Sequence, residues 1–256
     1  SCTEEQLHFV SDRTGWWNLY RWRAGKVEAL WPLEAEFGKP QWGFAPSTYA
    51  FASEGELVCA YVRQGSAQLA RLNLSTGEAT PVDTPYTEIN ELRAGPGFAV
   101  FIGGSPAEPR SLVRLDLDSG RFEVLRQSRP LTIDPGYLSV PQAIEFPTSK
   151  GLKAHGFYYP PRNRDFAGPP GAKPPLLVMS HGGPTSSSSA SLKYSIQYWT
   201  SRGIAVLDVN YGGSSGYGRA YRERLNGNWG IVDVDDCVNG ARYLVERGEV
   251  DGGRLA

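Results

Sequence analysis

The sequence predicts two successive architectures: an all-β segment of repeated hairpins over residues 1–130, then a doubly wound, mostly parallel α/β sheet over residues 131–256. Three observations carry this. Short runs of aromatic and β-branched residues, punctuated by polar or glycine-containing turns, fill the first half. The turn glycines Gly25, Gly77 and Gly120 recur at spacings of 52 and 43 residues. After Pro130 the pattern changes to unbroken apolar runs, each followed by a glycine-rich loop and then a helical period.

In the first segment LHFVSD, WNLYRW, YAFAS, LVCAYVR, LARLNL, FAVFIG and LVRLDL read as strands. LARLNL-STG-EATPV and LVRLDL-DSG-RFEVL are two versions of one hairpin. In each, a strand ends in Asn or Asp and a glycine supplies the positive-φ position. YRW-RAG-KVEAL is a looser third copy. A period of forty to fifty residues is that of β-propeller blades, so residues 1–130 read as about three blades of a partial propeller. A β-sandwich with look-alike hairpins is the alternative. Trp16, Trp17, Trp22, Trp31 and Trp42 are expected to fill the space between blades rather than stack on a ligand.

In the second segment VPQAIEFPTSKGLKAHGFYYPP reads as two strands around a turn at Thr148 to Gly151, and 162–175 as a surface connection. PLLVMS and IAVLDVN read as buried parallel strands. ASLKYSIQYWTSRG is expected to be a helix closing at Gly203. RAYRERLNG reads as a short helix, and a longer one runs from Val232 to Arg247. The spacing puts Val234, Val238, Ala241 and Val245 on one face of the latter, with Asp233, Asp235 and Asp236 in its first turn, where the helix dipole favours anions.

Composition bounds the function. The 256 residues carry 26 basic and 27 acidic side chains, for a net charge of −1, with 40% hydrophobic and 21% charged residues. These are globular values, and the balance argues against a nucleic-acid or anionic-membrane binder. No apolar run approaches the ~20 residues of a membrane span, and no signal peptide is visible. Cys2, Cys59 and Cys237 lie far apart without metal-ligand spacing, which fits a reducing cytoplasm. His8, His155 and His181 are equally scattered, so no metal site and no cofactor are expected.

Chemistry in an open α/β sheet sits at the carboxyl ends of the strands. Two glycine-rich loops are placed there. His181-Gly182-Gly183-Pro184, directly after a strand, matches the HGGG-type oxyanion element, in which bare backbone N–H groups approach a ligand oxygen. His181 itself is not expected to act as a base, since no nucleophile and acid are arranged around it in sequence. Gly212-Gly213-Ser214-Ser215-Gly216 satisfies the G-x-S-x-G pattern of a nucleophile elbow, but no histidine follows it, and without a base Ser214 stays an unreactive alcohol.

SHGGPTSSSS, DVNYGGSSGYGRAYRERLNGNWGIVDVDDC and DGGRLA, within residues 176–256, closely resemble the start of the catalytic domain of the prolyl oligopeptidase family of serine peptidases. The nearest branch is the bacterial dipeptidyl aminopeptidase and acylaminoacyl-peptidase group. The resemblance implies a β-propeller ahead of the N-terminal part of an α/β-hydrolase domain. It implies that His181, Gly182 and Gly183 form the oxyanion-side loop, where some members carry a tyrosine in the place of His181. Tyr211, Gly212, Gly213, Ser214, Gly216 and Tyr217 would line the active-site face in support. In the family a strand starting with residues like Arg254-Leu255-Ala256 leads to the elbow serine, with Asp and His later, so the triad has no counterpart in residues 1–256. The expected partners are a small peptide or aminoacyl substrate and the remainder of the same polypeptide, its further blades and C-terminal catalytic part; this chain alone is expected to be inactive. Two alternatives stay open: a carboxylesterase with Ser214 as nucleophile, and a non-catalytic propeller-type binding module. An imidazole within hydrogen-bonding reach of Ser214, or burial of the amides after His181, would overturn the lead reading.

Overall fold

The computed structural model describes residues 6–40, 42–183 and 185–256; Cys2 and Pro184 lie outside them. The chain forms two compact units. The described residues of one run to Ser105 and include Pro109–Arg129 and Ser215–Ala220. The other holds Pro106–Glu108, Pro130–Ser214 and Tyr221–Ala256.

The first unit is three antiparallel sheets. One contains β1 (Gln6–Ser11), β2 (Asn18–Arg23) and β3 (Lys26–Ala29); the next β4 (Tyr49–Ser53), β5 (Glu56–Arg63), β6 (Ser66–Asn73) and β7 (Ala79–Val82); the last β8 (Glu88–Gly95), β9 (Phe98–Gly104), β10 (Ser111–Asp116) and β11 (Phe122–Gln127). The two matched hairpins close alike. Asn73 Oδ1 accepts from the N–H groups of Ser75 and Thr76, and Asp116 Oδ1 from the N–H of Ser119. The N–H groups of Gly77 and Gly120 then donate to the carbonyls of Asn73 and Asp116, both 2.9 Å. Gly77 and Gly120 sit at φ of 73° and 70°, a region costly for a side chain that glycine enters freely.

The middle sheet is buried on both faces. Leu57, Cys59, Tyr61, Ala70 and Leu72 pack with Leu19 of β2, while Val58, Ala60, Ala67 and Leu69 pack with Ile89, Leu92, Phe101, Val113 and Leu115 of the last sheet. The outer faces of the stack are open. Leu7, Trp22 and Val27 stand in register across β1, β2 and β3 at 40%, 39% and 42% exposure. Ile102 and Leu112, paired across β9 and β10, are exposed at the other end. The tryptophans therefore divide. Trp17 is buried and Trp31 packs on Phe37 and Tyr61, whereas Trp22 lies in the open row and Trp42 is exposed.

The second unit is built on a mixed sheet of β12 (Gln142–Pro147), β13 (Lys153–Tyr159), β14 (Leu176–Ser180) and β15 (Ala205–Asn210), in the order β12-β13-β15-β14. Only β14 and β15 pair in parallel; β12 with β13 and β13 with β15 run antiparallel. This corrects the expected mostly parallel sheet, because the short turn at Ser149–Gly151 can join antiparallel neighbours only. A further parallel strand begins on the free edge of β14: Leu176 N–H donates to Arg254 O, Val178 N–H to Ala256 O and Ala256 N–H to Leu176 O.

Three helices follow, α1 (Tyr194–Thr200), the single turn α2 (Arg219–Arg222) and α3 (Val232–Glu246). α1 starts four residues later than the sequence pattern implies, since Ser188 and Lys193 are drawn to β15. The face of α3 matches expectation only in part, with Ala241 and Val245 against the core and Val234 and Val238 turned out. Asp236, Gly240, Ala241 and Leu244 are its buried residues, while Val234 and Val238 are 52% and 42% exposed. Gly240 explains the rotation: a Cβ there would lie 2.8 Å from Leu207 and 3.0 Å from Phe146. The helix settles onto the sheet at its bare point rather than over the valines. Among the described residues no helix is long and apolar enough to cross a membrane.

Candidate active site

The loops after β14 and β15 leave the sheet at the same end, because the two strands are parallel and Ser180 is in register with Val209. Buried polar side chains on β15 anchor the descending half of the first loop. Asp208 accepts from Ser188 Oγ at 2.5 Å and from Lys193 Nζ at 2.6 Å. Asn210 takes the Ser188 N–H at 2.7 Å and donates to its carbonyl at 3.2 Å. A buried carboxylate is tolerable here because a cation and a hydroxyl satisfy it.

The ascending half, His181 to Gly183, keeps its amides free. Gly182 and Gly183 are exposed, and a Cβ at either would meet nothing within 4 Å. Gly183 adopts φ of 72°. Their N–H groups hydrogen-bond to nothing among the described residues. The carbonyls, in contrast, are held. Tyr211 Oη donates to Gly183 O at 2.8 Å and lies 3.3 Å from His181 O. The Tyr211 ring stacks on the His181 imidazole, centroids 4.5 Å apart and planes inclined by 22°. Carbonyls pinned on one side and amides bare on the other are what an anion-accepting turn requires.

Ser214 overturns one expectation and meets one of the two conditions set against the lead reading, so the premise that no proton acceptor stands beside this serine does not hold. Its Oγ lies 2.6 Å from His181 Nε2, so a base does stand beside this serine, and His181 does have a serine arranged around it. Sequence order hid the pair, since the histidine precedes the serine by 33 residues. Burial lowers the His181 pKa, with the Gly182 carbonyl pulling weakly the other way. The ring is thus neutral at pH 7, and Nδ1, 3.4 Å from Gly182 O, carries the proton while Nε2 accepts from Ser214. The case against a nucleophilic Ser214 no longer rests on a missing base. It rests on access and orientation. Ser214 has no exposed surface, and Nδ1 faces a carbonyl and the Tyr211 hydroxyl rather than a carboxylate. An electrophile has no approach to the Oγ, and no carboxylate is hydrogen-bonded to the imidazole; Asp208 acts on it only through space, against the stronger effect of burial.

The rest of the second loop divides. Ser214 N–H closes a turn on Tyr211 O at 2.9 Å. Gly212 N–H donates to Asp236 Oδ2 at 2.7 Å. Gly213, at φ of 130°, brings its α-carbon against Leu225, where a Cβ would stand at 2.9 Å. Tyr211, Gly212, Gly213 and Ser214 are therefore brought together with His181, Gly182 and Gly183. Gly216 and Tyr217 belong to the first unit, where the neighbouring Gly218 N–H donates to the buried Glu36 at 2.9 Å. Sequence reasoning missed Asp236 as a member of the site, having read it as a helix-dipole anion. Cysteine offers no competing nucleophile among the described residues: burial pushes the Cys59 thiol up to about 12 and that of Cys237 to about 11.

Residues 190–256 match the prolyl oligopeptidase family. A puromycin-hydrolysing peptidase of Mycobacterium tuberculosis superimposes with a TM-score of 0.94 and 41% identity, over 98% of this chain and 39% of its own. A puromycin hydrolase gives a TM-score of 0.91 and 42% identity, over 98% of this chain and 38% of its own. In sequence, dipeptidyl aminopeptidase BIII of Pseudoxanthomonas mexicana is 30% identical over 152 residues, 58% of this chain and 22% of that protein. The chain thus spans about two fifths or less of the length of these relatives. The match is confined to residues 190–256, which include the loop after Asn210, and it is this part of the chain that resembles the prolyl oligopeptidase family.

Proposed function

We propose that the chain is part of a serine peptidase hydrolysing short peptides or aminoacyl amides, in which the His181–Gly183 turn supplies the oxyanion-side amides. The observation that carries this is the pair of bare N–H groups at Gly182 and Gly183, beside the edge of β14 where residues 254–256 begin a new parallel strand. In such a sheet the end of that next strand lies alongside the turn, so a nucleophile there and the two amides would face one carbonyl. The serine attacks, a histidine takes its proton, an Asp orients the histidine, and the turn holds the oxygen as it becomes negative. One oxyanion donor contributes about 3–4 kcal/mol to such a transition state, so the turn matters without being sufficient.

The first unit would be about three blades of a propeller, and the second the start of an α/β-hydrolase domain. The strand order β12-β13-β15-β14, with the next strand beyond β14, supports the latter. The exposed rows at both ends of the stack support further blades from the same polypeptide, since apolar patches in register ask to be covered. The propeller would limit access to small substrates. Free Cys59 and Cys237 fit the reducing cytoplasm.

The test is covalent labelling with a fluorophosphonate, followed by peptide mapping. The full-length protein is expected to label at a serine after Ala256 and to cleave aminoacyl amides, and residues 1–256 to do neither. Absence of labelling in the full-length protein would sink this reading and leave a non-catalytic binding module. The 2.6 Å contact of Ser214 with His181 favours one second reading, an esterase in which Ser214 attacks. Label on Ser214, lost in Ser214→Ala, would establish it.

A further inference from the structure

We propose that Asp236 is a positioning residue of this site: by gripping the Gly212 N–H, its carboxylate fixes the loop through which Tyr211 and Ser214 hold the His181–Gly183 turn. The inference rests on the peptidase reading for its effect on turnover, but the mechanical part stands on geometry alone.

The links form a short chain of contacts. Asp236 lies in the first part of α3 and is 2% exposed. Its Oδ2 accepts from Gly212 N–H at 2.7 Å, and its Oδ1 accepts from the Thr148 hydroxyl at 2.5 Å. Thr148 Oγ1 in turn accepts from Asn239 Nδ2 at 3.1 Å, which commits the hydroxyl proton to the aspartate. Gly212 directly follows Tyr211, whose hydroxyl and ring hold Gly183 and His181, and it stands two residues before Ser214, which holds His181 Nε2. The loop is packed closely against α3 and the turn that precedes it. A Cβ on Gly212 would be 2.9 Å from Val232 and 3.0 Å from Arg224, and one on Gly213 would be 2.9 Å from Leu225.

The chemistry of Asp236 says why a purely structural role is a poor account. No salt bridge reaches it among the described residues, and burial raises its pKa. Arg224 acts on this carboxylate only through space, and a buried carboxylate without a directly bonded cation costs stability that an apolar residue of similar size would not. What the carboxylate supplies instead is direction: one charge-assisted bond aimed at a single backbone N–H.

The experiment uses the full-length protein and the variants Asp236→Ala and Asp236→Asn. Asparagine retains an oxygen for the Gly212 N–H and can donate to Thr148 Oγ1. Expected for Asp236→Ala is a fall in kcat for an aminoacyl amide of about 10- to 100-fold with KM within about twofold, because amides displaced by a fraction of an ångström lose the transition state before they lose the substrate. Asp236→Asn is expected to recover kcat to within about threefold. Hydrogen exchange is read in parallel on peptides covering 179–186 and 208–214. Asp236→Ala should speed exchange there and leave β5 unchanged, while Asp236→Asn should resemble the wild type. Unchanged exchange in both peptides for a folded Asp236→Ala protein overturns the proposal, as does equal loss of kcat in the two variants. If the wild type shows no turnover, the peptidase reading fails, yet the exchange data still decide whether Asp236 positions the turn.

Discussion

Tyr211→Phe removes one hydroxyl from the candidate site, whose short bond is to Gly183 O and whose longer contacts are to His181, and leaves the ring in place. The hydroxyl donates to Gly183 O at 2.8 Å, and its removal does not disturb the stack on His181 at 4.5 Å between centroids. Gly183 is exposed, so water can take over its carbonyl, and the net loss is that of an ordinary hydrogen bond, about 0.5–1.5 kcal/mol. At RT near 0.6 kcal/mol this lowers the fraction of molecules with the turn in place by about 2- to 13-fold at most. The expected result in the full-length protein is therefore a two- to tenfold drop in kcat at nearly constant KM, with a melting temperature lowered by no more than about 4 °C. Tyr211→Ala removes the stack as well and leaves a cavity beside His181. It should cost about 3 kcal/mol or more in stability and a further tenfold in kcat. Steady-state kinetics on an aminoacyl anilide and a thermal melt read both quantities. If a folded Tyr211→Ala protein turned over at the wild-type rate, the amides of Gly182 and Gly183 would not be part of the catalytic apparatus.

Three further outcomes are expected. Burial holds the His155 pKa at about 4 against 6.5 for a free histidine. The neutral ring therefore stabilises the fold fully above pH 6.5, and on the order of 3 kcal/mol is lost as the pH falls from there toward 4. Urea midpoints of the wild type and His155→Gln between pH 7 and 4.5 should diverge accordingly. Gly213→Ala forces a side chain into φ of 130° and against Leu225, so it should destabilise by at least about 2 kcal/mol in a thermal melt. Trp22→Glu places a charge in the open row of Leu7, Trp22 and Val27. Residues 1–256 should gain solubility from it, whereas a full-length protein in which a further blade covers that row should lose about 2 kcal/mol or more of stability. Equal effects in both would mean that nothing packs there.

What could be read in the sequence was chemistry confined to a few consecutive residues. Asn73 with Gly77 and Asp116 with Gly120 close their hairpins by bonds within a single turn, so the residues alone specify them. The glycine pair after His181 is equally local. The contacts that make a site of it are not. His181 and Ser214 meet because β14 and β15 pair in parallel with Ser180 opposite Val209, and register is a property of two strands at once. The signal was nonetheless present: loops that leave adjacent parallel strands at the same end must lie side by side. A histidine opening one and a serine three residues into the other were candidates for contact whatever their order in the chain. Chain order is a rule about how triads evolved, and hydrogen bonds obey distance instead.

The misreading of α3 has the same root. Helical periodicity ranked Val234 and Val238 by hydrophobicity, but a helix docks where it can approach most closely, and Gly240 permits contact with Leu207 and Phe146 that no valine would allow. That rotation turns Asp236 inward, next to Ala241 and Leu244, and leaves the valine flank exposed on the side away from the Thr148 turn. One glycine thus accounts both for the exposure of Val234 and Val238 and for a buried carboxylate aimed at the loop that shapes the candidate oxyanion turn. Gly240→Ala would test the link. A methyl group 2.8 Å from Leu207 Cδ2 must displace that side chain or lift α3; a lifted α3, read as faster exchange in the helix, should cost Asp236 its hold on Gly212 and speed exchange at 208–214 as well. Faster exchange in α3 with 208–214 unmoved would show that the loop keeps its place without the aspartate.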